Sequence, residues 1–267
     1  MGGTQMLERV NILGVQVSAL TIPLATATIQ RWIADGERHY VCITGVHGVM
    51  ESQSDRELMD IHNGAGMVTP DGMPLVWMSR RLGHPEVERV YGPDLMRAMC
   101  GVSALKGYRN FLYGSRPSTL ANLGAAITGT YPGLQLAGCL SPPFRALLPE
   151  ENEAEIEQIN AARPDIVWVG LSTPKQERWM ARNRHRLDAP VLVGVGAAFD
   201  FLAGEKPQAP GWMQRNGLEW AFRMASEPRR LAGRYLRNNP TFVLRAVSQL
   251  AAPSRFPQTA TAGKPAR

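Results

Sequence analysis

Residues 163–180, RPDIVWVGLSTPKQERWM, leave the chain few local choices. Pro164 and Asp165 close a preceding helix, Ile166 to Val169 is a β-rich apolar run, and Gly170 to Pro174 makes a tight turn. Lys175, Gln176 and Glu177 then open a new helix. A strand, a loop and a helix N-terminus in that order is how an α/β protein holds a ligand at the carboxyl end of its sheet. Free N–H groups at the helix start favour anionic oxygen, and Lys175 and Gln176 add donors that reach a phosphate or a sugar hydroxyl. An ordinary βα connection with a proline near its first helical position reads the same way, so the loop alone does not decide.

The same unit recurs along the chain. HYVCIT at 39–44 is a strand, followed by a small polar loop, Gly45 to Gly48, and a helix from about Val49 to Asn63. A very short strand at Met67-Val68 ends in Thr69-Pro70-Asp71-Gly72 before the apolar helix MPLVWMSRRL. Pro-Asp-Gly is a turn signal; it also sets the Asp71 carboxylate at a strand tip. NFLYG at 110–114 leads through Gly114 and Ser115, a loop that could cradle phosphate or ribose, into a helix from Thr119 to Thr130. Leu134 to Gly138 is a strand, 149–162 an acidic helix, and Pro190 to Val195 a buried strand. The alternation predicts a Rossmann-like, doubly wound α/β fold with a mainly parallel sheet. Ahead of it, residues 7–22 alternate as a short β-ribbon turning at Gly14. Gly194, Gly196 and Ala197 approach a dinucleotide fingerprint, but the third glycine is missing and Phe199-Asp200-Phe201 follows, so a nicotinamide cofactor is rejected.

Charge divides the chain. Residues 206–250 hold eight Lys/Arg against Glu219 and Glu227, so the basic excess of a protein with net charge +6 belongs to its C-terminal part. The predicted organisation is an α/β catalytic domain over 1–205, a helical basic appendage over 206–250, and a disordered Pro/Thr/Ala tail over 251–267. In the appendage Trp212 to Met224 reads as one helix and Pro228 opens another. Arg230, Arg234 and Arg237 share one face of that second helix, and with only Glu227 nearby they are expected to be available to an external anion. Val243, Val247 and Leu250 also fall on one face. Cys42, Cys100 and Cys139 are far apart in apolar contexts and read as reduced core residues. No run has the ~18 apolar residues of a spanning helix, and the N-terminus lacks a signal peptide's apolar core, so a cytoplasmic protein is expected.

Several chemistries drop out. There is no Asp-x-Asp pair to hold a metal on a nucleotide diphosphate, no His/Cys cluster with ligand spacing, no Walker loop and no nucleophile elbow. What remains is Asp71, Thr44, the Lys175-Gln176 loop and a trailing arginine face. That set suits metal-free displacement of a phosphorylated leaving group, with Asp71 taking a proton from an acceptor hydroxyl. Neither a metal nor a cofactor is called for.

The strings PDG at 70–72, ERVYGPDL at 88–95, GLSTPKQERW at 170–179, GVGAAFDFLAGEKPQAP at 194–210 and GLEWAFRMASEPRRLAGRYL at 217–236 resemble the WecG/TagA/CpsF family of bacterial glycosyltransferases, glycosyltransferase family 26. The resemblance runs from about residue 10 to 245. It implies an inverting enzyme of cell-surface polysaccharide synthesis that moves a sugar, such as N-acetylmannosamine or a related hexose or uronic acid, from a UDP-sugar to a polyprenyl-diphosphate-linked acceptor. On that resemblance Asp71 matches the catalytic base, Thr44 and Gln176 line the donor pocket, Arg89 is the site arginine, and the C-terminal arginines belong to an appendage that meets the diphosphate at an anionic membrane surface. The chain departs from the family pattern at Val46, where Asn is frequent, and at Gln208, where Arg is frequent; His47 is the substitute contact for the missing Asn. The resemblance thus places the protein at the inner face of the plasma membrane, with a homo-oligomer left open. A catalytically silent nucleotide-sugar-binding scaffold is the alternative. A nucleic-acid partner is disfavoured, because few aromatics interleave with the arginines and the core is slightly acidic.

Overall fold

The computed structural model of the protein describes residues 7–253 and 256–257. In chain order the elements are β1 (Arg9–Ile12), β2 (Val15–Ser18), α1 (Ile22–Asp35), β3 (His39–Thr44), α2 (Val46–Ser52), α3 (Arg56–Gly64), β4 (Met67–Pro70), α4 (Met73–Arg81), α5 (Gly92–Lys106) and β5 (Arg109–Gly114). They continue as α6 (Pro117–Thr130), β6 (Gln135–Leu140), α7 (Pro149–Ala161), β7 (Ile166–Gly170), α8 (Lys175–Asn183), β8 (Val191–Gly194), α9 (Ala198–Leu202), α10 (Gly211–Arg215), α11 (Glu219–Ser226) and α12 (Pro228–Ala251).

Strands β3 to β8 form one six-stranded sheet, in which β3, β8, β7, β5 and β6 lie side by side in that order. All four of those pairings are parallel. The expected Rossmann-like sheet is therefore present. Its central strands are apolar throughout, with Val167, Trp168, Val169, Leu192 and Val193 fully buried, as a sheet covered on both faces requires. From β5 the chain moves outward to β6 and then returns to the other side of β5 as β7. That reversal is a topological switch point, where the loops after two neighbouring strands leave in opposite directions and open a crevice.

The chain gathers into two compact units. One holds Ile22–Ile43 and Tyr91–Gln208, and with them most of the parallel sheet; the other holds the chain up to Thr21, Thr44–Val90 and everything from Ala209 on. In the second of these, β1 and β2 pair as an antiparallel hairpin whose two turn residues, Leu13 (φ 52) and Gly14 (φ 89), have the double positive φ of a type I′ turn. The basic C-terminal helices pack here. Gln249 of α12 accepts from the Leu13 N–H at 2.9 Å and donates to the Asn11 carbonyl at 2.6 Å, so α12 is stitched to the ribbon.

Four expectations need correction. The helix foreseen over 49–63 is two, because Asp55 takes extended backbone and caps α3 by accepting the Leu58 N–H at 3.0 Å. It also begins at Val46, so His47 is a helical residue and not a loop one. The helix foreseen over 212–224 likewise breaks into α10 and α11 at Gly217, whose φ of 70 only glycine adopts readily. Cys139 is exposed, because β6 is the last strand of the sheet. Of the tail expected to be disordered, 254–255 and 258–267 lie outside the described residues; Ala251 closes α12, and the Pro257 carbonyl accepts from Asn11 Nδ2 at 3.1 Å.

Candidate active site

The first cluster of functional side chains belongs to the unit that contains 44–90. Thr44 ends β3 and Asp71 follows β4, and the Asp71 N–H donates to the Thr44 carbonyl at 3.0 Å. This bond brings the predicted hydroxyl and the predicted base to adjacent backbone positions. Thr44 is buried and its Oγ1 has no hydrogen-bond partner in the structure, an arrangement that costs stability unless something else supplies the partner. Gly48 packs against it so closely that a Cβ there would lie 2.9 Å from Thr44 Cγ2. The space around Thr44 is thus set by a residue without a side chain.

His47, in the first turn of α2, accepts at Nδ1 from Asn238 Nδ2 of α12 at 3.2 Å, with Glu51 Oε1 3.5 Å away. Burial first, and then the charges of Arg234, Arg237 and Arg223, lower its pKa to about 4. It is a neutral imidazole at physiological pH, used to hold α12 against α2. Arg89 lies between Val87 and Val90, both fully buried, and its guanidinium reaches Glu219 of α11 and Gln214 of α10, the latter at 2.9 Å. The predicted site arginine therefore clasps the helices that carry the basic segment. Arg237 is largely exposed, and Glu51 Oε1 lies 3.6 Å from its Nη2; this corrects the expectation that only Glu227 offers it a counter-charge. Arg234 lies over the Tyr235 ring at 5.5 Å. Arg230 falls in α12, and its side chain lies outside the described residues.

A second cluster surrounds the switch point, in the other unit. Gly114 (φ 113) ends β5 beside Gly170 at the end of β7, and a Cβ on Gly114 would stand 2.7 Å from the Gly170 carbonyl oxygen. Only glycine allows the two strand ends to meet so closely. The Ser115 N–H donates to that same carbonyl at 3.1 Å, and the Ser115 carbonyl accepts from Ser141 Oγ at 2.7 Å. Lys175 is exposed at the start of α8, whereas Gln176, one residue on, is buried. The N-terminus of α6, where the Gly-Ser loop was expected to cradle a phosphate, already carries an anion. Glu205 accepts there from Arg116 Nη2 and Thr119 Oγ1, each at 2.9 Å. Gln208, at a position where the family pattern often has Arg, accepts from Arg97 Nη2 at 2.8 Å.

Sequence reasoning named residues in both clusters but missed the acidic partners beside them. Glu205 and Glu219 each come from a distant part of the chain, so no local spacing signals them. Glu51 and Glu177 are local, the first four residues after His47 on the same helix and the second next to Gln176 in the motif itself. Glu8, His84 and Glu86 also gather, with ligand atoms within 4.8 Å of one another, in the unit that holds Asp71.

The chain is 30% identical over 215 residues, 78% of its length and 82% of the relative's, to the N-acetylglucosaminyldiphosphoundecaprenol N-acetyl-beta-D-mannosaminyltransferase of Bacillus subtilis (strain 168). It is 25% identical over 237 residues, 88% of its length and 91% of the relative's, to the protein of the same name from Staphylococcus aureus (strain MW2). Residues 10–255 match the family model described as "Glycosyl transferase WecG/TagA/CpsF family", and the chain belongs to that family.

Proposed function

We propose that the protein transfers N-acetylmannosamine, with inversion and without a metal ion, from its UDP-sugar to a polyprenyl-diphosphate-linked N-acetylglucosamine. The named relatives are, as their names state, N-acetyl-beta-D-mannosaminyltransferases that act on N-acetylglucosaminyldiphosphoundecaprenol. The observation that carries the reading is Asp71 at the tip of β4, its backbone tied to Thr44. A strand-end carboxylate there is suited to general-base work. In the proposed reaction it removes the proton from the acceptor hydroxyl as that oxygen attacks the anomeric carbon. The bond from the anomeric carbon to the β-phosphate oxygen breaks on the opposite face, and UDP departs with the electron pair. Lys175 and Gln176 are assigned to the donor, at the carboxyl end of the sheet where nucleotides bind in open α/β folds.

We also propose that α12 lies against an anionic membrane surface. No helix among the described residues is long and apolar enough to cross a bilayer. Instead α12 exposes an apolar stripe that includes Leu236 (69% exposed) and Leu244 (72%), together with Val243 and Val247, beside exposed Arg237 and Arg245. A helix with that cross-section suits the headgroup boundary, where each basic residue adds roughly 1 kcal/mol. These features support an enzyme that works at the inner face of the plasma membrane, where its lipid-linked acceptor is found.

The experiment is transfer of labelled sugar from a panel of UDP-sugars to a short-chain lipid-diphosphate N-acetylglucosamine acceptor, with EDTA present. Transfer from UDP-N-acetylmannosamine in preference to the other donors is expected. Binding of UDP-sugars without transfer from any of them would move the protein to the scaffold reading.

A further inference from the structure

Glu177 has a place in the site that its family membership does not explain. It stands one residue after Gln176 in the first turn of α8, and it is 0% exposed. Its Oε1 accepts two hydrogen bonds, from Thr173 Oγ1 at 2.9 Å and from Gln176 Nε2 at 3.1 Å, while its Oε2 is buried without a partner. Gln176, 2% exposed, spends its amide nitrogen on this bond and leaves its Oε1 buried and unpartnered. The end of β8 makes room for the amide. A Cβ on Gly194 would lie 3.1 Å from Gln176 Nε2, and one on Gly196 would lie 3.4 Å from Gln176 Oε1.

A glutamine amide has two nearly equivalent orientations, since its terminal torsion is broad and roughly two-fold. What fixes the orientation is the neighbour, and the Glu177 oxygen facing Gln176 already serves as an acceptor for Thr173. The nitrogen must therefore point at Glu177 and the oxygen away from it. A buried amide oxygen without a donor is destabilising, a cost that a ligand N–H or O–H removes on binding. We infer that Glu177 is a positioning residue: with Thr173 it locks the Gln176 amide so that Oε1 accepts a hydrogen bond from the nucleotide-sugar donor. Burial pushes the Glu177 carboxyl above the usual carboxylate range. A proton on Oε2 leaves Oε1 as a carbonyl oxygen accepting the same two bonds, so the lock holds in either protonation state.

The inference rests on the nucleotide-sugar reading of the site, and its test separates the two. The full-length protein is titrated with UDP-N-acetylmannosamine by calorimetry, and donor KM and kcat are measured, for wild type, Glu177→Met, Glu177→Gln, Gln176→Ala and the Glu177→Met/Gln176→Ala pair. Glu177→Met removes both acceptor oxygens at similar volume. It should weaken donor binding about tenfold with kcat within a factor of two. Glu177→Gln keeps an acceptor oxygen and should stay within about threefold of wild type. In the Gln176→Ala background Glu177→Met should have no further effect, because the residue it positions is gone. Full additivity of the two substitutions, or wild-type binding by Glu177→Met, overturns the positioning role while the nucleotide-sugar reading stands. A wild type that does not bind UDP-N-acetylmannosamine overturns both. Should Glu177→Met fail to fold, Thr173→Val loosens the same lock, and donor binding unchanged in that variant overturns the inference.

Discussion

Mild acid should loosen the unit that carries Asp71, and two histidines set the size of the effect. His62 is fully buried between Ser52 and Leu58. Ser52 Oγ donates to the Gly48 carbonyl at 2.9 Å, so the His62 Nδ1–H is the donor toward the Leu58 carbonyl at 3.0 Å and Nε2 is left buried without a partner. A second proton would have to sit on that nitrogen with nothing to accept it, and burial lowers the pKa to about 4. His47 also falls to about 4, from burial and then from its arginine neighbours, outweighing Glu51 beside it. In both cases the folded pKa lies below the ordinary 6.5. The folded state therefore binds fewer protons than the unfolded chain between these values. The stabilisation is complete above about 6.5 and is lost as pH falls toward 4. At pH 5 each histidine costs about 2 kcal/mol relative to neutral pH, with His47 giving somewhat less because its side chain is a quarter exposed. Urea unfolding followed by circular dichroism at pH 7 and pH 5 should show a loss of about 3–4 kcal/mol that shrinks to under about 1 kcal/mol in His47→Asn/His62→Asn. An equal loss in wild type and double variant would refute the reasoning.

Three further outcomes follow from the packing. Arg184 donates to the carbonyls of His39, Leu187, Ala189 and Pro190 at 2.5–3.4 Å from an almost fully buried position; Arg184→Met orphans those acceptors and should cost about 3 kcal/mol or more in urea unfolding. In Gly170→Ala the new methyl would meet Phe199 Cδ2 at 2.5 Å, so a loss of about 1–3 kcal/mol and a lower melting temperature are expected from overpacking. Arg89→Ala leaves Glu219, 17% exposed in its side chain, without its cation, and should destabilise by about 3 kcal/mol, whereas Arg89→Ala with Glu219→Gln should recover part of that loss.

The fold was legible where hydrophobic period and turn chemistry agree. HYVCIT and NFLYG could hardly be anything but buried strands, and Pro174-Lys175 marked the start of α8 because strand, turn and helix signals follow one another within a few residues. The breaks inside helices were not legible. Asp55 lies in a run that reads as continuous helix, and only its observed capping bond shows that the chain restarts there. Gly217 looks like a tolerated helix glycine until its backbone angle is known. The face shared by Val243 and Val247 was read correctly from spacing, but whether a face is buried depends on what packs against it. Here α12 turns Leu231, Phe242 and Ala246 inward and leaves those valines outside. The candidate site shows the same division. Asp71, Thr44 and Gln176 stand out because they flank the turns between strand and helix, whereas Glu219 at Arg89 and Asn238 at His47 are 130 and 191 residues away along the chain.

The central claim is that Asp71 is the base of a sugar transfer. Its most direct test compares wild type with Asp71→Asn in donor binding and in transfer from UDP-N-acetylmannosamine to the lipid-diphosphate acceptor. The account predicts that the variant binds the donor as wild type does and loses about 10²-fold or more in kcat, as removal of a general base requires. Transfer at equal rates by the two proteins would contradict it and leave Asp71 a turn residue.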